Sequence, residues 1–191
     1  MIEVEAKYRI NDIKHVEKKI LDLGAIYVGE EYEEDYYFQH PCRDFMKTDE
    51  ALRIRKTTNK VEMTYKGPKI SNLTKSRVEI NVGIEDLDSA IELLERLGFK
   101  KVFVVKKHRR KYKLSNNVKI SIDIVEDLGS FIEIEVATEK HKFHEAEEKV
   151  LNIAKSLGLK GKPIIKSYLE LLLEKKANIY GGRDEQRGKN V

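Results

Sequence analysis

The sequence contains no tryptophan, only three prolines and one cysteine, Cys42. A single cysteine cannot form an intramolecular disulfide, so the disulfide-rich scaffolds of small secreted domains are excluded. The chain has neither the pattern of a signal peptide nor an apolar run of 18 residues, which a membrane-spanning helix would need. We therefore expect a soluble, cytoplasmic protein with no membrane partner.

Charge is what the chain has in abundance. Asp, Glu, Lys and Arg make up 37% of its 191 residues, and their signs nearly balance to a net charge of +4. That excess does not by itself indicate nucleic acid binding. The most basic segment, residues 106–113, alternates in the manner of a strand, so its charges divide between two faces. We expect no nucleic acid partner, and the length suits a single domain.

Eight stretches alternate polar and apolar residues as β-strands do, and four others have helical spacing. The strand-like stretches are residues 2–10, 32–39, 52–57, 61–66, 76–82, 102–114, 118–125 and 131–138. The helical stretches are residues 11–23 with Asn11 as N-cap, 86–97 with Asp86 as N-cap, 141–157, and one from Pro163 to Leu173. Periodicity is lost beyond Lys175. We therefore predict a domain over residues 1–174 and a flexible C-terminal tail over residues 175–191.

The first two helical stretches repeat each other at an offset of 74 residues. Gly24 after the first corresponds to Gly98 after the second, and Glu5 on the preceding strand corresponds to Glu79. This spacing predicts two related halves, each made of a strand, a helix and further strands. A chance likeness between two strand–helix units is the alternative.

Each predicted strand has one apolar and one charged face, because side chains alternate along a strand. Glu3, Glu5 and Lys7 share such a charged face in the first strand. Amphipathic helices would pack on the apolar faces, which leaves the charged faces either in water or turned inward around a polar lumen. Closely spaced arginines such as Arg53 and Arg55 match phosphate oxygens bidentately, and a closed barrel removes exposed strand edges. These features favour the lumen over a salt-bridged outer surface.

Six motifs occur in a fixed order along residues 1–173. They are residues 3–7 (EVEAK), 52–55 (LRIR), 64–68 (TYKGP), 77–79 (RVE), 107–109 (KHR), and Asp123 with residues 131–135 (FIEIE), followed by residues 167–172 (SYLELL) in the last helix. This order resembles the CYTH family of triphosphate tunnel metalloenzymes, which includes class IV adenylyl cyclases and thiamine triphosphatases. Residues 41–53 look most like the class IV cyclase branch of bacteria and archaea.

The resemblance implies an α+β fold in which a closed eight-stranded antiparallel β-barrel, the triphosphate tunnel, carries helices on its outside. It implies a site for Mg²⁺ or Mn²⁺ made by Glu3, Glu5, Asp123, Glu133 and Glu135. It also implies that phosphate oxygens are bound by Lys7, Arg53, Arg55, Lys66, Arg77, Lys107 and Arg109. Glu79 would orient neighbouring Arg and Lys side chains.

Three functions are compatible with such a tunnel. A class IV adenylyl cyclase-like enzyme would convert ATP to cyclic AMP and pyrophosphate. A triphosphatase would hydrolyse thiamine triphosphate, inorganic triphosphate or a nucleoside triphosphate, and Lys66, supported by Tyr37 as in triphosphatase relatives, would then activate water. A non-catalytic binder of polyphosphate or RNA 5′-triphosphate ends would use the basic residues but leaves the carboxylates unexplained.

Two further features stay open at this level. The acidic run over residues 30–35 is most simply a solvated surface, although Asp35 shares a strand face with Glu33 and Tyr37. Leu169 and residues 171–173 form an apolar patch that would either cap the barrel or pair with a second subunit in a homodimer.

Overall fold

The computed structural model describes residues 2–115 and 117–187, with side chains up to Asn178. The strands of this part are Ile2–Arg9 (β1), Ile26–Gln39 (β2), Ala51–Lys56 (β3), Val61–Lys66 (β4), Arg77–Ile84 (β5), Lys100–Ser115 (β6), Val118–Val125 (β7) and Gly129–Thr138 (β8). Its α-helices are Ile13–Asp22 (α1), Leu87–Arg96 (α2), Phe143–Ser156 (α3) and Tyr168–Arg187 (α4).

The strands form a closed antiparallel barrel in the order β1-β5-β4-β3-β2-β6-β7-β8. This confirms the predicted α+β barrel. Exchanging β1 with β5, β2 with β6, β3 with β7 and β4 with β8 reproduces the same cyclic order. The two halves of the chain are therefore related by a pseudo-twofold axis, as the 74-residue repeat predicted.

The helices α1 and α2 repeat each other down to their ends. The Asp12 side chain accepts a hydrogen bond from the backbone N–H three residues on, and Asp86 does the same at the start of α2. Gly24 and Gly98 follow the two helices with φ of +85° and +89°, a left-handed conformation in which glycine is least strained. Asp12 therefore caps α1, and the prediction of Asn11 was wrong by one residue.

The helices lie on the outside of the barrel and bury most of the apolar strand faces, whereas Val78, Ile80 and Val82 of β5 are about half exposed. α1 and α3 cover β1, β7 and β8, where Val4, Ile120 and Ile134 pack against Val150 of α3. α2 covers the opposite side through Leu94, which belongs to a second core. Burial of these apolar faces leaves the charged faces of the strands to line the interior.

α4 begins at Tyr168, five residues later than predicted from Pro163. Ser167 and Glu170 form a reciprocal capping box, in which each side chain accepts a hydrogen bond from the other residue's backbone N–H. Just before the helix, the Ile164 N–H donates to the carbonyl of Lys7 at 2.7 Å, which ties this segment to β1.

The predicted tail begins inside α4, which continues as a helix to Arg187. Its flexibility stays a prediction, and residues 188–191 lie outside the described residues. Among the helices of the described chain, none is both long and apolar enough to span a membrane.

Candidate active site

The barrel encloses a cavity of about 690 Å³ that is lined by charged side chains from all eight strands. Its volume is that of a site for a ligand the size of a small cofactor. The predicted polar lumen is therefore present, and the charged strand faces do not form a solvated outer surface. The prediction placed thirteen charged residues and Tyr37 at this lumen, and the structure shows which of them meet.

Carboxylates cluster on neighbouring strands β1 and β8. Glu5, Glu133 and Glu135 each offer an oxygen atom within 4.8 Å of the others. Glu5 and Glu135 are directly opposite in the β1–β8 register, where like charges destabilise a sheet unless a cation lies between them. The sequence predicted all three as metal ligands, and the structure brings them together.

Glu3 lies next to this cluster and increases its excess of negative charge. Repulsion from Glu135, burial and repulsion from Glu79 raise the pKa of Glu3 from 4.5 to about 8. Burial, with repulsion from Glu133 and Glu5, also raises the pKa of Glu135. The raised pKa values show that Glu3 and Glu135 have too little positive charge near them to stabilise their ionised forms. A divalent cation bound between the carboxylates would supply that charge.

The donor set fits Mg²⁺ or Mn²⁺, because both are hard cations that take carboxylate oxygens. Glu5, Glu133 and Glu135, with Glu3 beside them, are the residues that would hold such an ion. Asp123 stands apart from them. It accepts a hydrogen bond from Arg109 Nε at 2.6 Å and another from the Tyr168 hydroxyl at 2.8 Å.

Two buried acids, Glu33 and Asp35, hold much of the predicted basic set in place. Arg55 donates to both oxygens of Asp35, at 2.6 and 2.8 Å, and Lys107 lies 2.8 Å from Glu33. Burial would raise the pKa of Glu33, but Lys107, Arg109 and Arg55 lower it well below its usual range.

The expectation of a solvated surface was therefore wrong for Glu33, whereas the alternative that Asp35 reaches the tunnel is confirmed; both acids are almost fully buried and line the cavity. The signal was available in the sequence, because residues 31, 33, 35 and 37 share one strand face.

Two arginines of the predicted phosphate set carry free donors. Arg53 Nε and Arg77 Nε are buried and have no hydrogen-bond acceptor among the described residues. Both side chains line the cavity. Buried N–H groups are normally paired, so these two are available to an anion bound in the lumen.

Lys66 contacts Glu79, its partner across β4 and β5, through a salt bridge. Burial and repulsion from Arg53 lower the pKa of Lys66 to about 8. This contact is what an orienting role of Glu79 requires. Tyr37, by contrast, makes no hydrogen bond to Lys66 in the described part of the chain, and burial and Asp35 raise its pKa. The predicted Tyr37–Lys66 partnership thus has no contact to support it.

The start of α4 covers one end of the barrel. Tyr168 and Leu172 are buried against Val105, Phe131 and other residues at the strand ends. The ammonium of Lys7 lies 4.1 Å from the centre of the Tyr168 ring, a cation–π contact. The apolar patch of the last helix therefore caps the barrel, and a homodimer stays a prediction.

Lys75 belongs to the cavity lining but was not predicted. Its ammonium lies 3.0 and 3.2 Å from the two carboxylate oxygens of Glu5. It comes from the loop before β5, outside the stretch that we assigned to a strand. The alternation of Lys75 with Arg77 and Glu79 was the signal that could have found it.

Comparison with known proteins agrees with the fold and the cavity. The CYTH domain profile matches residues 1–168. A Methanocaldococcus jannaschii protein, named provisionally as an adenylate cyclase, is 42% identical over 173 residues, which are 90% of this chain and 98% of the relative. Adenylate cyclase CyaB of Aeromonas hydrophila is 27% identical over 82% of this chain and 81% of its own length.

A solved structure from Pyrococcus horikoshii is similar with a TM-score of 0.83. It is 49% identical, and the match covers 91% of this chain and 99% of that one. The chain belongs to the CYTH domain family, whose members are adenylyl cyclase-like or triphosphatase enzymes acting on triphosphates with a metal ion.

Proposed function

We propose that this protein is a divalent-metal-dependent enzyme that acts on a triphosphate held in the barrel, most simply as a class IV adenylyl cyclase-like enzyme. The observation that carries the proposal is the juxtaposition of two sets of groups in one cavity. Glu5, Glu133 and Glu135 can hold a cation, and arginines with free donors line the same space. Phosphoryl chemistry needs both, because charge must be neutralised while the reacting oxygens are aligned.

The carboxylates favour an enzyme over a binding protein. A protein that only binds polyphosphate gains from basic residues, whereas buried glutamates would repel its ligand. Repulsion from Glu135 and Glu79, together with burial, already raises the pKa of Glu3. A Mg²⁺ or Mn²⁺ ion held by the glutamates would explain why they lie beside the basic residues of the cavity. The ion would also neutralise phosphate charge during the reaction.

Cyclisation is the reaction to which the relatives' names point, at 42% and 27% identity. In it, the ribose 3′-hydroxyl of ATP would attack the α-phosphorus and give its proton to solvent, the bond from the α-phosphorus to the bridging oxygen would break, and pyrophosphate would leave. Arg53 and Arg77 have donors that would bind the phosphate oxygens and the departing pyrophosphate. The basic residues would thus stabilise the negative charge that accumulates on the leaving group.

Hydrolysis is the second candidate, and Lys66 is the observation that favours it. A lysine with a pKa of about 8 is partly neutral at mildly alkaline pH and can accept a proton from water. Glu79 fixes the position of its ammonium group. Water would then attack the terminal phosphorus and give a proton to Lys66, the bond from that phosphorus to the bridging oxygen would break, and the diphosphate portion would leave as inorganic phosphate forms.

The test is incubation of the purified protein with ATP, thiamine triphosphate or inorganic triphosphate, each with Mg²⁺, Mn²⁺ or EDTA. Cyclic AMP with pyrophosphate supports cyclisation, and inorganic phosphate supports the triphosphatase. Glu135→Gln should reduce turnover at least about 100-fold, because it removes one metal ligand. Glu139→Gln is the matched control, since Glu139 is 78% exposed and outside the cavity. Metal-independent triphosphate binding without turnover of any of the three compounds would instead indicate a non-catalytic binder.

A further inference from the structure

The metal-ligand cluster contains a cation supplied by the chain itself. Lys75 Nζ lies 3.0 and 3.2 Å from the two oxygens of Glu5, and Lys7 Nζ lies 3.3 Å from Glu5 and 3.1 Å from Glu133. Two ammonium groups therefore surround two of the three carboxylates that would bind a divalent ion. A metal that uses Glu5 must compete with at least one of them.

Lys7 is fixed by contacts on several sides. Its side chain is fully buried, its ammonium packs over the Tyr168 ring at 4.1 Å, and it donates to the carbonyl of Lys166 at 3.3 Å. Moving it would break these contacts and disturb the cap that α4 places on the barrel. Lys7 is therefore not the group that makes room for a metal.

Lys75 is held differently. Its backbone is anchored, because its N–H donates to the Glu5 carbonyl at 2.9 Å and the preceding Thr74 hydroxyl donates to buried Glu147 at 2.7 Å. Its ammonium, in contrast, hydrogen-bonds only to Glu5 among the described side chains. The side chain can therefore turn away from Glu5 while the loop stays in place, and it lines the cavity in which the phosphates would lie.

We propose that Lys75 is an internal counter-ion that neutralises Glu5 before a metal binds, is displaced from Glu5 by the divalent ion, and then binds the triphosphate. This inference deepens the proposed function and rests on its metal site. It makes binding ordered: the metal must bind before Lys75 is free for a phosphate. Lys75 thus neutralises Glu5 before the metal binds, and it neutralises phosphate charge after the substrate binds.

The first test is calorimetric titration of Mn²⁺ alone into the metal-free protein. Lys75→Met removes the competing cation, so the dissociation constant for Mn²⁺ should fall about tenfold. Lys75→Arg keeps the charge and should not tighten metal binding. Lys106→Met is the matched control for the loss of one positive charge, because Lys106 is exposed and pairs with Glu34 on the outside of the barrel.

The second test is titration of inorganic tripolyphosphate with and without saturating Mn²⁺. In the wild type, Mn²⁺ should strengthen tripolyphosphate binding, and Lys75→Met should weaken the Mn²⁺-supported binding about tenfold by removing one charge-assisted contact. Unchanged or weaker Mn²⁺ binding by Lys75→Met would overturn the proposal, since Lys75 would then support the metal site rather than compete for it.

A measurement on the wild type does not depend on how well the variants fold. Chemical labelling of lysines, followed by mass spectrometry, should show Lys75 becoming more reactive when Mn²⁺ is added and less reactive when tripolyphosphate follows. Labelling that does not respond to Mn²⁺, in protein that binds Mn²⁺, would overturn the displacement. The turnover assay with ATP and the other triphosphates decides the proposed function separately, because an active enzyme could still lack the Lys75 exchange.

Discussion

Glu3 gives the metal-free protein a stability that depends on pH with a definite sign. Its pKa is raised from 4.5 to about 8 by Glu135, burial and Glu79. Between these two values the folded state holds a proton that the unfolded state has released. The free energy of unfolding must therefore decrease as the pH rises through this window.

The magnitude follows from the shift and from the exposure of the side chain. A shift of about 3.5 pKa units corresponds to about 5 kcal/mol if it acts in full. Glu3 is only partly buried, and solvent screening reduces the effect, so we expect about 2 kcal/mol between pH 5 and pH 8. For a chain of this length, that is a decrease of roughly 4 to 8 °C in Tm.

The assay is thermal unfolding followed by circular dichroism between pH 5 and 8.5, in EDTA and in Mn²⁺. Mn²⁺ binds the ionised carboxylates, so it should remove the decrease and raise the Tm most at pH 8. Glu3→Gln should abolish the slope in EDTA and be more stable than the wild type at pH 8, while Glu139→Gln should keep the wild-type slope. A Tm in EDTA that is constant or rises from pH 5 to pH 8, or a decrease that persists in Glu3→Gln, would refute the reasoning.

Four further predictions concern single substitutions. The pKa of Lys66 is lowered to about 8, so between pH 8 and 10.5 the unfolded state holds a proton that the folded state has released, and the free energy of unfolding should rise with pH. Thermal unfolding at alkaline pH should show this rise in the wild type and not in Lys66→Met. Arg109→Met should lower the free energy of unfolding by about 3–5 kcal/mol, because Asp123 and Glu133 lose the buried cation that they share. The measurement is urea unfolding, and a change below about 1 kcal/mol would contradict this prediction. Leu172→Ala should cost about 2–4 kcal/mol in the same assay, and an unchanged midpoint would show that the α4 cap contributes no packing energy. Asp86→Ala should cost about 1 kcal/mol through loss of the helix cap, with an exposed substitution such as Glu95→Ala as the control that keeps the wild-type midpoint.

The strands of the barrel could be predicted because the alternation of polar and apolar residues that marks a strand lies within a short stretch of sequence. Alternation at period two identified every strand, and the bounds of Val61–Lys66 and Val118–Val125 agree with the structure. The 74-residue repeat also predicted the relation between the halves, since Asp12 and Asp86 occupy equivalent cap positions. Where a single residue decided a boundary, as in the capping box that starts α4, periodicity alone placed the helix too early.

The site was harder to predict, because it depends on which strand faces meet across the barrel. A strand face shows that Glu33 and Asp35 point the same way, but only the β2–β3 and β2–β6 registers bring them to Arg55 and Lys107. Lys75 lies in the loop just before β5, so its alternation with Arg77 and Glu79 extends beyond the predicted strand and was missed. The family resemblance placed Glu5, Glu133 and Glu135 at one site, and the structure brings their carboxylates together. Asp123 contacts Arg109, and metal binding by any of these residues stays a prediction.

At some positions the pseudo-twofold axis of the barrel relates residues of opposite charge, although Glu5 and Glu79 are alike. Asp35 faces Arg55 between β2 and β3, and the equivalent pair between β6 and β7 is Arg109 facing Asp123. A barrel with halves alike in charge as well as in shape would present a triphosphate with two equivalent orientations. The opposite charges at these equivalent positions make the electrostatic field inside the barrel asymmetric. A bound chain of phosphates would therefore experience a different field in each of its two orientations. A tunnel of this kind would distinguish the terminal phosphate of a triphosphate from the one that carries the organic group, although the strand order of the two halves is the same.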